Sequence, residues 1–514
     1  MKRNMMIFMA LAFCVGCSGD FLDTKPTDSV SSATIFENTD NVGLAVNGMM
    51  RIMQSNYGGN WSGEGGVDRY MGNYPSNTYT RAAFTSYGPC INRTNYLNAN
   101  SSYTKFYLAY YYRIINIANT ILFNIDGTPG NEAVREHYKA QALVMRSYAY
   151  LRLSCEFFRR WGDGMTDEAK NGNGLMLRLT PSTSNVGYSS MKQIFEQIYS
   201  DLGQAIPILE KKAVARDPIT QNYQIDADVA YAIFARAALE REDYATARDY
   251  ARKAYKDHPL MTWAEYVSGF NTPNSEWIWS TYCDQTLTHA NTWFADMAYN
   301  SGQASQRSYI GCVDKKFFNS IPDTDLRKTL FLDPKSYAFD PETGRAKKDQ
   351  YPELDAYARS IRSDIPDATI VAAWMSFKFK STDNAYDGDM CISRASEMYL
   401  IDAEASYRLD DEISARAALT KLVKDTGRNP SFDAETLSGA ALLDEIKFQR
   451  NIELWGEGFN GFDLKRWGDP MDRVGFADGG NWYSGNAIHS KPDESNNYWT
   501  SVMSVKETDY NTEL

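Results

Sequence analysis

The sequence predicts a mostly α-helical chain in which paired helices form a scaffold, long loop-rich insertions interrupt it, and a few short β-strands are added. Three observations carry that expectation. Apolar residues recur at helical spacing, most clearly over 132–161, where Ala140, Leu143, Val144, Ser147, Tyr148, Leu151 and Cys155 share one stripe. A helix–turn–helix pattern at 228–259 recurs at 396–427: a shift of 168 residues aligns Tyr231 with Tyr399, Ala235 with Ala403, Ala247 with Ala415 and Arg248 with Arg416. Between the helical stretches lie segments rich in Gly, Asn, Ser and aromatics that follow neither a helix nor a strand period.

Composition bounds the rest. The 514 residues are 43% hydrophobic and 23% charged, which supports a sizeable core and excludes global disorder. The formal charge of −12 excludes a basic nucleic-acid footprint. Four His leave little material for His-based metal or acid–base chemistry. Cys90, Cys155, Cys283, Cys312 and Cys391 are scattered without a CxxC spacing, so they read as small buried hydrophobes.

In chain order, 40–56 reads as a first helix, with Val42, Leu44, Ala45, Met49, Ile52 and Met53 near helical spacing. Residues 57–102 read as a long aromatic-rich loop, and 103–125 and 132–161 as helices. At 189–212, Ser189 and Ser190 are cap candidates ahead of Ile194, Ile198, Leu202, Ile206 and Leu209. In the first hairpin, Ala235, Ala247, Ala251, Ala254 and Pro259 are spaced as in a tetratricopeptide repeat, whose small residues let antiparallel helices approach closely. A third, fainter copy is expected around 135–165. Trp277–Tyr282 and Ile370–Phe379 are strand candidates, 429–470 returns to helix, and 471–514 is again loop-rich.

Binding chemistry is sought where aromatics sit on polar loops. A sugar ring offers an apolar C–H face and a rim of hydroxyls; a Tyr or Trp face covers the first, and Asn, Asp or Gln bonds the second. Two segments carry that mix: 60–79, with Trp61, Asp68, Tyr70, Asn73 and Tyr74, and 277–309, with Tyr282, Trp293 and Tyr309. Those eight residues are the candidate ligand contacts. By contrast, Tyr103–Tyr112 reads as a buried helix face.

Catalytic signatures are missing: no GxSxG, HExxH or P-loop occurs, and Gly63–Gly66 has the wrong spacing for a nucleotide phosphate. Sixty-five acidic residues allow many carboxylate pairs but single none out. No cofactor is expected. The acidic turn Asp383–Asp389 has oxygen donors for Ca²⁺ but lacks the Glu at the twelfth position of an EF-hand loop, and a plain acidic turn is the simpler reading.

The N-terminus decides the compartment. Lys2 and Arg3 precede an apolar stretch too short to span a bilayer, and Val15-Gly16-Cys17 resembles a bacterial lipobox. The expected organisation is a lipoprotein signal peptide at 1–16, a lipid anchor at Cys17 with a tether to residue 40, and a single domain over 41–514. Within it, helical repeats cover about 103–260 and 392–470, and loop-rich ligand-binding regions cover about 57–102 and 260–390.

The C-terminal run EIKFQRNIELWGEGFNGFDLKRWGD at 445–469 resembles the signature of the SusD/RagB family of Bacteroidetes nutrient-uptake lipoproteins, on Arg450, Glu453, Leu454, Glu457, Gly458, Phe462, Asp463, Leu464, Lys465, Arg466 and Trp467. Cys17–Pro26, Ala140–Gly162 and Arg394–Ala405 resemble further family stretches in the expected order, with Gln141 in place of the usual Glu. The motif's own chemistry reads as structural, its charges pairing between the buried rings of Phe459, Phe462 and Trp467. The resemblance implies a non-enzymatic, cell-surface outer-membrane lipoprotein that captures an oligosaccharide or polysaccharide and delivers it to a SusC-like TonB-dependent transporter. It also implies ligand contacts from loops in the two regions above. A surface glycoside hydrolase with an unrecognised carboxylate pair, or a structural surface lipoprotein, stays open at this point.

Overall fold

The computed structural model describes residues 32–55, 63–81, 87–161, 174–283, 293–301, 310–382, 387–490 and 499–514. Helices predominate, as expected. The long ones are α1 (Thr39–Ile52), α2 (Ser102–Asn124), α3 (Glu132–Phe157), α4 (Met191–Leu209), α5 (Ala227–Glu240), α6 (Tyr244–Tyr255), α7 (Ala395–Arg408), α8 (Glu412–Leu419), α9 (Gly439–Glu453) and α10 (Asn460–Trp467). Several N-termini are closed by side-chain caps. Asn131 caps α3, Asp226 caps α5, and Ser190 forms a reciprocal capping box with Gln193 on α4. From α2 to α8, each helix packs on the next.

The repeat is real at the level of backbone geometry. At the 168-residue shift α5 corresponds residue for residue to α7, and α6 to α8 together with the wide helical turn Thr420–Lys424 that continues it. Their turns match as well: Glu242 and Asp410 both take positive φ (58° and 60°), and the next residues, Asp243 and Asp411, each cap the second helix. Ala247, Ala251 and Ala254 are buried at the close approach that small side chains allow. The fainter copy at 135–165 is not a hairpin. That stretch is the single helix α3, and its antiparallel partner α4 comes only after a long connection.

The loop-rich parts hold short strands: β1 (Tyr79–Arg81), β2 (Trp277–Ser280), β3 (Gly311–Val313) and β4 (Cys391–Arg394). Antiparallel β1 and β3 pair Tyr79 with Val313 and Arg81 with Gly311, while β2 pairs with β4 through an irregular register. The strand expected over 370–379 shrinks to Val371–Ala372, followed by single bridges at Met375 and Ser376. The loop expected over 57–102 contains, among its described residues, a short helix at Gly63–Val67, a wide helical turn at Asp68–Asn73 and further short turns. All five cysteines named above are free. No described helix is long and apolar enough to cross a membrane.

Loops and repeats are joined by an interior cluster of charge. Arg394 bonds Glu276, Glu453 and Glu457; Arg327 bonds Asp325 and Glu453; Arg428 bonds Glu453; and Lys378 bonds Glu457. All eight side chains are buried. Burial alone would raise the Glu453 carboxyl; the guanidiniums of Arg428, Arg394 and Arg327 override it and hold that group well below its usual range. For Lys378 burial wins, lowering the ammonium to about 8 against the pull of Glu457.

A second buried cluster closes α10 onto α7. Arg466 grips Glu404 with both terminal nitrogens (2.5 and 2.9 Å), and the Trp467 indole N–H donates to the same carboxylate at 3.1 Å. Burial pushes Glu404 up, but Arg466 outweighs it and the carboxyl falls to about 2. Because the folded value lies below the unfolded one, this stability is fully present above about pH 4.5 and is lost as pH falls toward 2. The interval corresponds to roughly 3 kcal/mol. Glu404→Gln is therefore expected to be about 3 kcal/mol less stable than the parent at pH 7, with the gap closing between about pH 4.5 and 2. Unfolding midpoints across that range check it, and a gap independent of pH would count against it.

Candidate functional site

The two segments singled out for binding meet in the fold. Strand β1 pairs with β3, and the short helix Trp293–Met297 is drawn onto the first segment by Asp296. That carboxylate accepts from Arg69 at 2.9 Å, Arg81 at 3.0 Å and the Tyr74 hydroxyl at 3.3 Å. Burial opposes its charge, but the two guanidiniums keep Asp296 below its ordinary value. Gly65 lies against Trp293: a Cβ there would stand 3.1 Å from the Trp293 Cβ. Trp293 in turn packs edge-on against Phe379, with centroids 5.7 Å apart.

The turn Asp68–Asn73 is clamped to the Glu457-Gly458 stretch. The Asn73 amide donates to the Gly456 carbonyl (2.7 Å) and accepts from the Gly458 N–H (2.9 Å). Gly458 has φ +86°, and a Cβ on it would sit 2.5 Å from the Asp68 Cγ, so only glycine fits. Asp68 bonds Arg152 at 2.5 Å, beside Glu64, which accepts from the hydroxyls of Tyr110, Tyr111 and Tyr148. Burial raises Asp68 to about 7 against Arg152. A raised carboxyl next to a second one is a pattern found in hydrolases. Here Glu64 is fully buried and Asp68 nearly so, and the crevice bordered by Asp68, Trp293 and Glu457 has room for about one water, near 10 Å³.

This geometry corrects the expected ring platform. Tyr70, Tyr74 and Trp293 are interior, at 0%, 1% and 4% exposure, and Asp68 and Asn73 are buried with them. Tyr70 packs edge-on against Tyr74, under the Arg69 guanidinium. A sugar cannot rest on rings whose faces are covered by protein. Trp61 and Tyr309, like Cys17, lie outside the described residues.

Among the described candidate contacts, the ring presented to solvent is Tyr282. It is 39% exposed and lies 5.0 Å from the ring of half-buried Tyr223, tilted 51°. The pair is held from beneath. Arg216 donates to the carbonyls of Asn222 (2.7 Å) and Ile278 (2.8 Å), Asn222 donates to the Trp277 carbonyl (3.0 Å), and the Trp279 indole donates to the Tyr223 carbonyl (3.0 Å). Beside it, Asp389 accepts from the Cys283 N–H at 2.7 Å, and burial raises its carboxyl to about 6. No cluster of potential metal ligands occurs among the described residues. The arrangement is an aromatic surface with the Asp389 carboxyl nearby, suited to C–H and hydroxyl contacts. Sequence reasoning missed Tyr223. It sits on a polar loop between helices, so the criterion that chose the other segments would also have found it.

The fold is thus a helical-repeat scaffold carrying a solvent-facing aromatic pair. Family models agree: one for the SusD family matches residues 368–513, and one described as starch-binding and associating with the outer membrane matches 20–239. The chain belongs to the SusD/RagB family. A SusD-like protein of Formosa agariphila is 22% identical over 92% of this chain and 91% of its own length. Among solved structures, a SusD-like carbohydrate-binding protein from Bacteroides vulgatus aligns with a TM-score of 0.75 and 23% identity, covering 93% of this chain and 98% of that one. A SusD superfamily protein from Bacteroides thetaiotaomicron aligns at 0.68 and 20%, covering 93% and 98%.

The clamp makes a direct prediction. Asn73→Ala leaves the buried Gly456 carbonyl and Gly458 N–H without their partner and is expected to cost about 2–3 kcal/mol of stability. Urea unfolding measures this; a loss below about 0.5 kcal/mol would show that water or repacking replaces the amide.

Proposed function

We propose that this chain is a cell-surface glycan-binding lipoprotein that captures oligosaccharides and passes them to a partner TonB-dependent outer-membrane transporter. Membership of a family described as starch-binding supports the ligand class. The observation that carries the reading onto this molecule is the Tyr223–Tyr282 pair, a solvent-facing aromatic surface pinned by Arg216, Asn222 and Trp279. Tyr282 is the proposed direct contact, with Asp389 at its edge. Trp61 and Tyr309 are proposed as further ring contacts on sequence grounds. Asp68, Tyr70, Asn73, Tyr74 and Trp293 are proposed to act indirectly, by holding the two segments together. No hydrolytic step is proposed, since the raised Asp68 carboxyl is sealed inside. Acylation at Cys17 would place the protein on the outer membrane without a spanning helix.

The test is retention on immobilised starch and titration with malto-oligosaccharides, using the chain without its first 17 residues. Tyr282→Ala is expected to weaken binding by about 1–3 kcal/mol, a 5- to 150-fold loss, with the melting temperature unchanged. Tyr74→Phe, which keeps the packed ring, is expected to leave affinity intact. Unchanged affinity in Tyr282→Ala would move the site off this pair, and release of reducing ends from the glycan would overturn the non-enzymatic reading. Loss of acyl labelling in Cys17→Ala tests the anchor, and co-purification with a neighbouring transporter tests the delivery step.

A further inference from the structure

The chain around the Tyr223–Tyr282 pair carries charge of one sign. Strand β2 sets Ser280 opposite Cys391 of β4, and the pairing continues with the Thr281 N–H donating to the Met390 carbonyl at 2.9 Å. That register brings half-buried Asp389 alongside Tyr282 and Cys283. Its Oδ1 accepts from the Cys283 N–H at 2.7 Å, while Oδ2 takes no hydrogen bond from the described residues. Asp387, two residues earlier, accepts from the Cys283 thiol at 3.4 Å. The guanidinium that braces the pair, Arg216, has a side chain only 8% exposed, and all three of its nitrogens are committed. Nε donates to the Gln221 carbonyl (3.2 Å), Nη1 to Asp226 (2.5 Å) and Nη2 to the Asn222 and Ile278 carbonyls. Along the sequence, the stretches 217–235, 281–292 and 381–393 hold seven Asp and neither Lys nor Arg.

Resting on the glycan-binding reading above, we propose that this surface sorts glycans by charge: it takes uncharged or amino-bearing oligosaccharides and rejects those carrying carboxylate or sulfate groups, with Asp389 as the residue that sets the limit. Ring contact alone cannot make that distinction, because a Tyr face covers the C–H face of a hexose and of its uronic acid equally well. The difference lies at the polar rim. An ionised carboxylate only accepts, so the free Asp389 Oδ2 can meet a sugar hydroxyl or an ammonium but has no proton for an anionic group. An acidic sugar there would bring like charges together, and Arg216, already matched by Asp226, is not available to answer them. An ammonium gains instead, from the carboxylate and from the faces of the rings.

Calorimetric titration of the full mature chain tests this with three matched probes: maltohexaose, and maltohexaose carrying either a carboxylate or an amine at C6 of its glucose units. The carboxylate derivative is expected to bind about 10-fold more weakly than maltohexaose and the amine at least as tightly, with the gap narrowing as salt is raised from about 50 to 500 mM. Asp389→Asn keeps an acceptor for the Cys283 N–H and removes the charge. It is expected to bring the carboxylate derivative to within about 3-fold of maltohexaose. The salt series in the parent protein reads the same effect without relying on the variant. Tyr282-dependent binding of the carboxylate derivative as tight as that of maltohexaose would overturn the sorting and leave glycan capture standing. Undiminished rejection in folded Asp389→Asn would overturn the assignment to that residue, whereas binding of none of the three probes would overturn the glycan reading itself.

Discussion

The fold depends on keeping eight charged side chains in its interior without a net charge. Arg327, Lys378, Arg394 and Arg428 face Glu276, Asp325, Glu453 and Glu457, four cations against four carboxylates, all buried. Each ion gives up several kcal/mol of hydration, which only close, complete pairing restores. The pairing is therefore demanding about geometry. It fixes the start of β2 through Glu276, the helix junction through Arg394, the end of α9 through Glu453 and the loop after Ser376 through Lys378 at once. A hydrophobic contact tolerates a small slip; a cluster of this kind does not. That constraint lets long irregular segments hold one position against the helical repeats.

The same logic explains why polar composition misled about the aromatic loops. Asp68, Arg69 and Arg81 look like solvated loop residues when read along the chain. In the fold their partners are Arg152 and Asp296, 84 to more than 200 residues distant, and the pairs carry the neighbouring Tyr rings inward with them. Long-range ion pairs leave no local period, so the burial of Tyr70, Tyr74 and Trp293 was not legible. The repeats were legible because their information is local: alanines at helical spacing, an Asp cap and a turn recurring 168 residues on. The C-terminal motif lies between these cases. Its charges announced pairing, but that Glu457 would answer Lys378 and Arg394, or that Gly458 must clear Asp68, needed the coordinates.

Tyr282 illustrates what an exposed contact requires. It lies two residues past β2, after Thr281, whose N–H still bonds the Met390 carbonyl, and Arg216 and Asn222 strap the Tyr223 loop to that strand. A ring fixed in this way loses little conformational freedom when it meets a ligand, so more of the contact energy appears as affinity. One or two such rings beside the Asp389 carboxyl offer a shallow contact, whose affinity stays below that of a deep enclosed cavity.

Behind the exposed pair the chain runs into the buried charge cluster. Strand β2 pairs with β4, β4 ends at Arg394, and α7 begins at the next residue. Continuity alone does not transmit a binding event; an element along the way must have two arrangements of similar energy. The link here is Arg394, bonded to three carboxylates in a dry interior, and any second arrangement would strand at least one of those charges. The cost of that state makes the junction a brace. A ligand on Tyr282 is thus expected to bind without shifting the helical repeats, which would leave the melting of the repeat half unchanged.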